Sequence, residues 1–110
     1  MGHDGAFLEN AVFLELKRRG YELFYWKSTQ ANAEVDFVAR KAGEDLMAVQ
    51  VSLDISDEKT FARELAGLNS INLELGIKKL LLITRFGKDR QIEFNGCKIE
   101  VSSFLSWGTA

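Results

Sequence analysis

The sequence contains no proline, a single cysteine and a single histidine in 110 residues. The absence of proline favours regular helices and strands that are joined by short glycine turns. One cysteine, Cys97, excludes an internal disulfide and a multi-cysteine metal site, which is typical of a protein of the reducing cytoplasm. His3 stands at the very start of the chain, and we expect it to have no functional role.

Long apolar runs and a strong net charge are also absent. The longest apolar runs, such as LLLI at Leu80–Ile83, are far too short to span a membrane, and we expect no signal peptide. The net charge of -2 gives no bulk attraction to nucleic acid, so any such binding requires a local basic patch. Without a linker or an internal repeat, the length predicts one domain over residues 1–110.

The order of apolar patterns predicts an α/β domain. A helix over GAFLENAVFLELKRRG is followed by three strands, YELFYWKS, EVDFVARK and LMAVQVSLD. A second helix is predicted to be capped by Ser56, to have an apolar stripe and to end at Gly76. A buried strand over IKKLLLITRF, a hairpin turning at Asn95–Gly96 and a short terminal helix complete the chain. The stripe of the second helix consists of Phe61, Leu65, Leu68 and Leu75. This αβββαβ order predicts a mixed sheet flanked by helices, with a small C-terminal hairpin and helix.

The first predicted helix is apolar over most of its circumference, which predicts burial on more than one side. Glu9 falls inside the apolar arc, between Phe13 and Leu16 on the helical wheel. A carboxylate there costs free energy unless it is paired or bound to a ligand. Glu9 is therefore either part of a site or a side chain that reaches the domain surface.

Polar side chains also interrupt the second and third predicted strands. Because side chains alternate along a strand, Ala48, Gln50 and Ser52 share one face of the third strand. A hairpin between the two strands would place Asp36 beside Gln50. An acid and a polar pair thus come together in an otherwise apolar sheet.

A helical Glu, a strand Asp and a polar pair on the next strand resemble the PD-(D/E)XK nuclease superfamily, whose core order is also αβββαβ. The longer pattern GAFLENAVFLELKRRGYELFYWKS…AEVDFVARK…MAVQVSLD…FARELAGL…IKKLLLITR resembles the domain of unknown function at the C-terminus of many prokaryotic AAA-type ATPases. The resemblance covers about Gly5 to Phe86, and ENAVFLELKRRG and EVDFV are its most specific segments.

The resemblance implies a restriction-endonuclease-like fold and a role for four positions. Glu9 matches the helical acid, Asp36 the metal-binding Asp, Gln50 the Glu/Gln position and Ser52 the position of the lysine. Mg²⁺ or Mn²⁺ would be held by Glu9, Asp36 and Gln50, with open positions for water and a scissile phosphate. The implied partners are DNA and a P-loop ATPase domain upstream in a longer chain. No P-loop pattern GxxxxGK[ST] occurs in these 110 residues, so ATP hydrolysis by that mechanism belongs outside them.

The chain departs from the superfamily motif at two of these positions. Ser52 carries no positive charge, and Gln50 contributes a neutral oxygen where a carboxylate would hold the metal. These changes predict weak metal binding and inefficient catalysis, unless Lys27 or Lys79 supplies the charge. Three functions therefore stay open: a degenerate site that binds or positions a partner such as DNA, an active Mg²⁺-dependent DNA endonuclease, and a protein-docking module.

Two further groups of residues have a functional and a structural interpretation. Eight basic residues would form a phosphate-facing patch if the fold gathers them, or are solvated and favour a helix C-terminus. They are Lys17, Arg18, Arg19, Lys78, Lys79, Arg85, Lys88 and Arg90. Tyr25 and Trp26 adjoin in a strand, so one of them faces away from the core. We expect that ring to pack against a neighbouring domain rather than to stack on a base.

Overall fold

The computed structural model describes residues 2–110, with side chains from residue 5 onward, so the expectation for His3 lies outside the described side chains. Three helices and six strands follow in the predicted order. They are α1 (Gly2–Arg18), β1 (Glu22–Lys27), β2 (Glu34–Arg40), β3 (Met47–Ser52), α2 (Glu58–Leu75), β4 (Lys79–Thr84), β5 (Arg90–Phe94), β6 (Cys97–Ser103) and α3 (Phe104–Gly108). The predicted α/β class, mixed sheet and C-terminal hairpin and helix are confirmed.

The six strands form one mixed sheet in the order β1-β2-β3-β4-β6-β5. The pairs β1–β2, β2–β3 and β5–β6 are antiparallel, whereas β3–β4 and β4–β6 are parallel. The β5–β6 hairpin turns at Asn95 and Gly96, which both have positive φ, 48° and 85°. Two consecutive positive φ angles are typical of the tight hairpin turn that the Asn-Gly pair predicts.

The sheet separates two apolar cores. On one face α2 packs against side chains of β2, β3, β4 and β6. On the other face α1 and α3 pack against β2, β3 and β4. The predicted alternation along β3 is confirmed, because Ala48 belongs to the α2 side and Val49 to the α1 side. None of the helices within residues 2–110 is both long and apolar enough to cross a lipid bilayer.

The prediction that α1 is buried on more than one side is wrong. Its buried row is Leu8, Val12 and Leu16, spaced four residues apart. Phe7 is 72% exposed, and Leu14 is also exposed. A helix that covers one face of a sheet buries only a stripe along its axis. Phe7 and Leu14 therefore face away from the domain.

The N-terminus of α2 also differs from the prediction, since the capping residue is Asp57 rather than Ser56. Asp57 Oδ1 accepts the Lys59 backbone N–H at 3.3 Å, and its Oδ2 accepts the Thr60 hydroxyl at 2.8 Å. The predicted end is confirmed, because Gly76 terminates α2 in the left-handed conformation, with φ 71°. Leu75 does not belong to the buried stripe, since it is exposed.

Replacing Asp57 with alanine is expected to lower the free energy of unfolding by about 1 kcal/mol, because α2 loses its N-terminal acceptor. Ser56→Ala is the matched control and is expected to change that free energy by less than about 0.5 kcal/mol. Urea unfolding followed by circular dichroism measures both. A larger loss for Ser56→Ala than for Asp57→Ala would reverse the assignment of the cap.

Candidate functional site

The end of β3 carries a cluster of polar side chains that lies against β2. Backbone pairing between the strands extends from Ala39–Met47 to Phe37–Val49. Beyond that point the strands are joined by side chains instead, in a region of Glu34, Asp36, Gln50 and Val51 that we call the β2–β3 fork. Asp36 and Gln50 are therefore neighbours, as the hairpin predicts.

Three hydrogen bonds of 2.9 Å hold the fork together. The backbone N–H of Asp36 donates to Gln50 Oε1, and Gln50 Nε2 donates to the carbonyl of Glu34. The backbone N–H of Val51 donates to Asp36 Oδ2. Gln50, which is 4% exposed, thus satisfies two backbone groups of β2 at once. Its amide replaces the backbone hydrogen bonds that β2 and β3 do not form with each other at this point.

A bulge in β2 sets the position of Asp36. Phe24 pairs with Val38 and Trp26 pairs with Val35, so two steps along β1 match three steps along β2. Val35 and Val38 consequently face the same core although they are three residues apart. An extra residue in one strand re-aims the neighbouring side chains, a device that recurs beside active sites. Asp36 lies within this bulge, where its carboxylate meets the Val51 N–H.

Helix α2 approaches the fork closely at Gly67. A Cβ at this position would lie 2.5 Å from the carbonyl oxygen of Glu34 and 2.7 Å from Gln50 Nε2. No real Cβ tolerates such distances, so only glycine fits. An isolated glycine in the middle of a helix costs about 1 kcal/mol relative to alanine. Its presence in α2 indicates that the close approach to the fork outweighs that cost.

Ser52 stands at the sequence position that the resemblance assigns to lysine. It is 7% exposed, and in the parallel β3–β4 register it lies opposite Thr84. Lys79 pairs with Met47 at the other end of the same ladder, five residues away and therefore about 17 Å distant along the strand. Lys79 does not supply the missing charge. Lys27 lies opposite Glu34 across the β1–β2 pair and is the nearer of the two lysines.

Four carboxylates influence one another around the fork. Burial raises the pKa of Asp36 from 3.8 to about 6, the Val51 N–H opposes this, and the charges of Glu9 and Glu34 raise it further. Burial, followed by the charge of Asp36, raises the pKa of Glu64 from 4.5 to about 7. The Glu64 side chain is 17% exposed and lies 3.9 Å from the largely exposed Arg63. The fork therefore carries a concentrated negative potential.

Glu64 is a member of this cluster that the sequence interpretation missed. It lies on α2 between Phe61 and Leu68, at helical spacing from both, and three residues before Gly67. A carboxylate in that stripe, followed one turn later by an unexpected glycine, is the signal that identifies it. Glu64 is thus an additional candidate ligand or acid at the site.

Glu9 is exposed on α1 and does not lie in a buried arc, which corrects the helical-wheel interpretation. It borders a shallow cavity of about 380 Å³ with Asn10, Phe13 and Phe37. Its charge acts on Asp36 and Glu64, so it belongs to the same electrostatic neighbourhood. Among residues 5–110, no three His, Cys, Asp or Glu side chains are grouped closely enough to hold a metal ion.

The raised pKa of Glu64 predicts a pH-dependent stability. The folded state holds the Glu64 proton more tightly than the unfolded state. The contribution of this group to the free energy of unfolding is therefore fully present below pH 4.5 and is lost as the pH rises through about 7. The slope approaches about 1.4 kcal/mol per pH unit for each such group. Glu64→Gln is expected to flatten the curve, and Glu93→Gln on exposed β5 to leave it unchanged. Urea unfolding across this pH range measures the difference, and equal curves for both variants would contradict the assignment.

The eight basic residues do not form one patch. Arg18 and Arg19 bind Glu15 at 2.6 and 2.7 Å, and Arg19 also donates to the Trp107 carbonyl at 2.7 Å. Lys79 lies at the start of β4, beside Lys78. Lys17 lies in the last turn of α1. The remaining three, Arg85, Lys88 and Arg90, follow the opposite end of β4 and line one cleft.

Tyr25 is the outward-facing ring of the aromatic pair on β1. Its hydroxyl donates to Glu34 Oε2 at 2.7 Å, so it lies beside the fork. Trp26 packs against the core on the α2 side. The pattern predicted that one ring of this pair faces outward, and the structure assigns that place to Tyr25.

Comparison with known proteins gives a family for the chain. An uncharacterized protein of Haemophilus influenzae is 37% identical over 100 residues, which cover 91% of this chain and 22% of that relative. The chain thus spans about a fifth of the length of the curated relative it matches. No solved structure matches it. The family described as "Domain of unknown function (DUF4143)" matches residues 4–103, and the chain belongs to this family.

Proposed function

We propose that this protein is a nuclease-like domain of the PD-(D/E)XK type with a degenerate catalytic site, and that the domain binds or positions DNA without cutting it. The order of helices and strands supports a restriction-endonuclease-like fold, and Asp36, Gln50 and Ser52 occupy neighbouring strand ends as the resemblance requires. The observation that carries the proposal is the use of Gln50. Both polar atoms of its amide bind the backbone of β2.

Loss of the lysine accounts for the absence of cutting. Phosphodiester hydrolysis needs a positive group that stabilises the charge developing on the phosphate. Ser52 has none, and removal of one such group typically lowers the rate by about 10²–10³. Gln50 is held by Asp36 and Glu34, so it is poorly disposed to turn toward a metal. Mg²⁺ or Mn²⁺ would have to rely on Asp36, Glu9 and Glu64, which are not grouped closely enough to form a three-carboxylate metal site.

An active Mg²⁺-dependent endonuclease is the second candidate. Burial raises the pKa of Asp36 and Glu64, and repulsion between neighbouring carboxylates raises it further; a bound divalent cation would stabilise the charged forms that both effects disfavour. Mg²⁺ needs only one or two protein carboxylates when phosphate completes its coordination. This alternative requires metal-dependent cleavage that depends on Asp36.

The exposed apolar side chains of α1 support a third element of the proposal, a contact with another domain of a longer protein. Phe7 and Leu14 project away from both cores. Residues matching this chain make up 22% of the Haemophilus relative, so much additional sequence is available for such a contact. In the AAA-type ATPases that this chain resembles, the additional sequence would be an upstream P-loop domain in the cytoplasm.

Fluorescence anisotropy of labelled DNA tests the proposed function. The 110-residue chain is expected to bind DNA in EDTA, and addition of Mg²⁺ is expected not to tighten binding, because the cation only competes with the basic side chains for phosphate. Asp36→Asn is expected to bind as the wild type does. Absence of binding in EDTA together with tight binding in Mg²⁺ would favour the endonuclease instead.

A further inference from the structure

A large cleft opens where β3 and β4 end. It has a volume of about 860 Å³ and is bordered by residues 53–56 after β3 and by residues 84–88, which include the last residue of β4, with Arg90 and Val101. Ligands of sheets with parallel strands bind in crevices at the carboxyl ends of those strands. The cleft begins one residue beyond Ser52, and Thr84 of its wall lies opposite Ser52. It is thus adjacent to the fork but separate from it.

The charge of the cleft is opposite to that of the fork. Among the described side chains, Arg85, Lys88 and Arg90 line it, together with a single carboxylate, Asp54. The Asp54 carboxylate already accepts the backbone N–H of Ser56 at 2.8 Å. An excess of cationic side chains over carboxylates in a concave site attracts anions.

The other acid of this loop is directed elsewhere. Asp89 lies between Lys88 and Arg90 in sequence, yet its carboxylate accepts hydrogen bonds from Ser102, Ser103 and Ser106 on β6 and α3. Asp89 is not part of the cleft wall. Its bonds hold the loop after β4 against the end of the sheet, so the neighbouring basic side chains are presented to the opening.

An exposed aromatic ring stands among these cations. Phe86 lines the cleft and is 74% exposed, and the guanidinium of Arg85 lies 5.0 Å from the ring centroid. The guanidinium of Arg90 lies 5.4 Å from the ring of Phe61. A basic groove with an exposed aromatic ring is the arrangement that binds single strands, because phosphates meet the cations and an unpaired base stacks on the ring.

We propose that this cleft binds a single-stranded nucleic acid, with Arg85, Lys88 and Arg90 contacting phosphates and Phe86 stacking on a base. The inference rests on the proposed function and adds the location of the strand and a preference for unpaired DNA. The fork repels phosphate, whereas the adjoining cleft attracts it. A duplex offers no free base face to Phe86, so it gains only the phosphate contacts.

Anisotropy of a labelled single-stranded thymidine oligonucleotide tests the location. The double variant Lys88→Gln/Arg90→Gln is expected to bind about tenfold or more weakly and to lower the slope of log affinity against log salt by about 0.7 for each lost contact. The matched control Lys78→Gln/Lys79→Gln removes two charges at the opposite end of β4 and is expected to bind as the wild type does.

The stacking contact is tested separately. Phe86→Ser is expected to weaken binding of the oligonucleotide about fivefold or more, with an unchanged salt slope, because a base loses its aromatic partner. Phe24→Ser, which removes an exposed ring on β1, is expected to leave binding unchanged. Thymidine monophosphate and a duplex of the same length serve as competitors, and the unlabelled single strand is expected to compete best.

The outcomes separate the two proposals. If the wild type binds no DNA of either form, the proposed function and the cleft assignment both fail. If it binds DNA but the Lys78→Gln/Lys79→Gln control loses as much affinity as the Lys88→Gln/Arg90→Gln variant, DNA binding stands and the cleft assignment is overturned. Equal competition by the duplex would overturn the preference for single strands, and competition by the free mononucleotide as strong as by the strand would assign the cleft to nucleotides.

Discussion

Replacement of Gln50 with leucine is expected to lower the free energy of unfolding by about 2–4 kcal/mol. The side chain is of similar size, but the N–H of Asp36 and the carbonyl of Glu34 both lose their partner. Each backbone group that is left unsatisfied away from water costs about 1–3 kcal/mol. Urea unfolding monitored by tryptophan fluorescence measures the change.

Gln91→Leu on β5 is the matched control, because Gln91 is exposed. We expect that variant to differ from the wild type by less than about 0.5 kcal/mol. Gln50→Glu is a second, informative change, since it keeps an acceptor for Asp36 but has no donor for Glu34. Its loss of stability is expected to grow with pH, as a further carboxylate ionises beside Asp36. Equal stability of the Gln50 and Gln91 leucine variants would contradict the structural role of Gln50.

Replacement of Gly67 with alanine is expected to destabilise the domain by about 1–3 kcal/mol, because the added methyl group displaces α2 from the fork. The carbonyl of Glu34 and Gln50 Nε2 lie 2.5 and 2.7 Å from the site of the new Cβ. The hydrogen bond between these two groups is the contact that must give way. Thermal unfolding together with urea unfolding measures the loss.

Gly5→Ala makes the same glycine-to-alanine change, but it is expected to stabilise the domain. Gly5 lies inside α1, and nothing is within 4 Å of its Cβ position. Alanine is favoured over glycine in a helix, so this variant is expected to gain about 0.5–1 kcal/mol. A stable Gly67→Ala variant would show that α2 does not press on the fork.

The fold could be predicted largely from strand alternation and turn residues. The side-chain period of two is fixed by the pleat, so the pattern around Ala48, Gln50 and Val49 assigned both faces of β3 correctly. Asn95–Gly96 and Gly76 end their elements because they adopt positive φ angles. These features depend on local backbone geometry, which the residue types at these positions indicate directly.

Burial around α1 could not be predicted in the same way. The helical wheel counts apolar residues, but the number of packing partners decides which of them are buried. The sheet offers α1 one face, and that face receives Leu8, Val12 and Leu16. Phe7 and Glu9 remain exposed for that reason rather than because of their own chemistry.

The positions of the candidate site residues were predicted in part. The positions of Asp36 and Gln50 follow from the hairpin. The bulge in β2 depends instead on a change of register between β1 and β2 that no residue type in the sequence indicates. Glu64 was missed because a glutamate on a helix is usually a solvated residue. Only the placement of α2 across the fork brings it near Asp36.

The basic residues show the same limit. Lys78 and Arg85 are close in sequence, but they stand at opposite ends of β4, which extends for six residues. At about 3.3 Å per residue, a single phosphate-facing patch cannot include both. Arg85, Lys88 and Arg90 are gathered because they border the same loop after β4.

Cleavage of DNA in the presence of Mg²⁺ or Mn²⁺ tests the central claim most directly. The wild-type chain is incubated with end-labelled single-stranded and duplex DNA, and the products are separated on native and denaturing gels. We expect the single strand to be retarded on the native gel and intact on the denaturing gel with either metal. Metal-dependent fragments that disappear in Asp36→Asn would contradict the account and identify the fork as a working nuclease site.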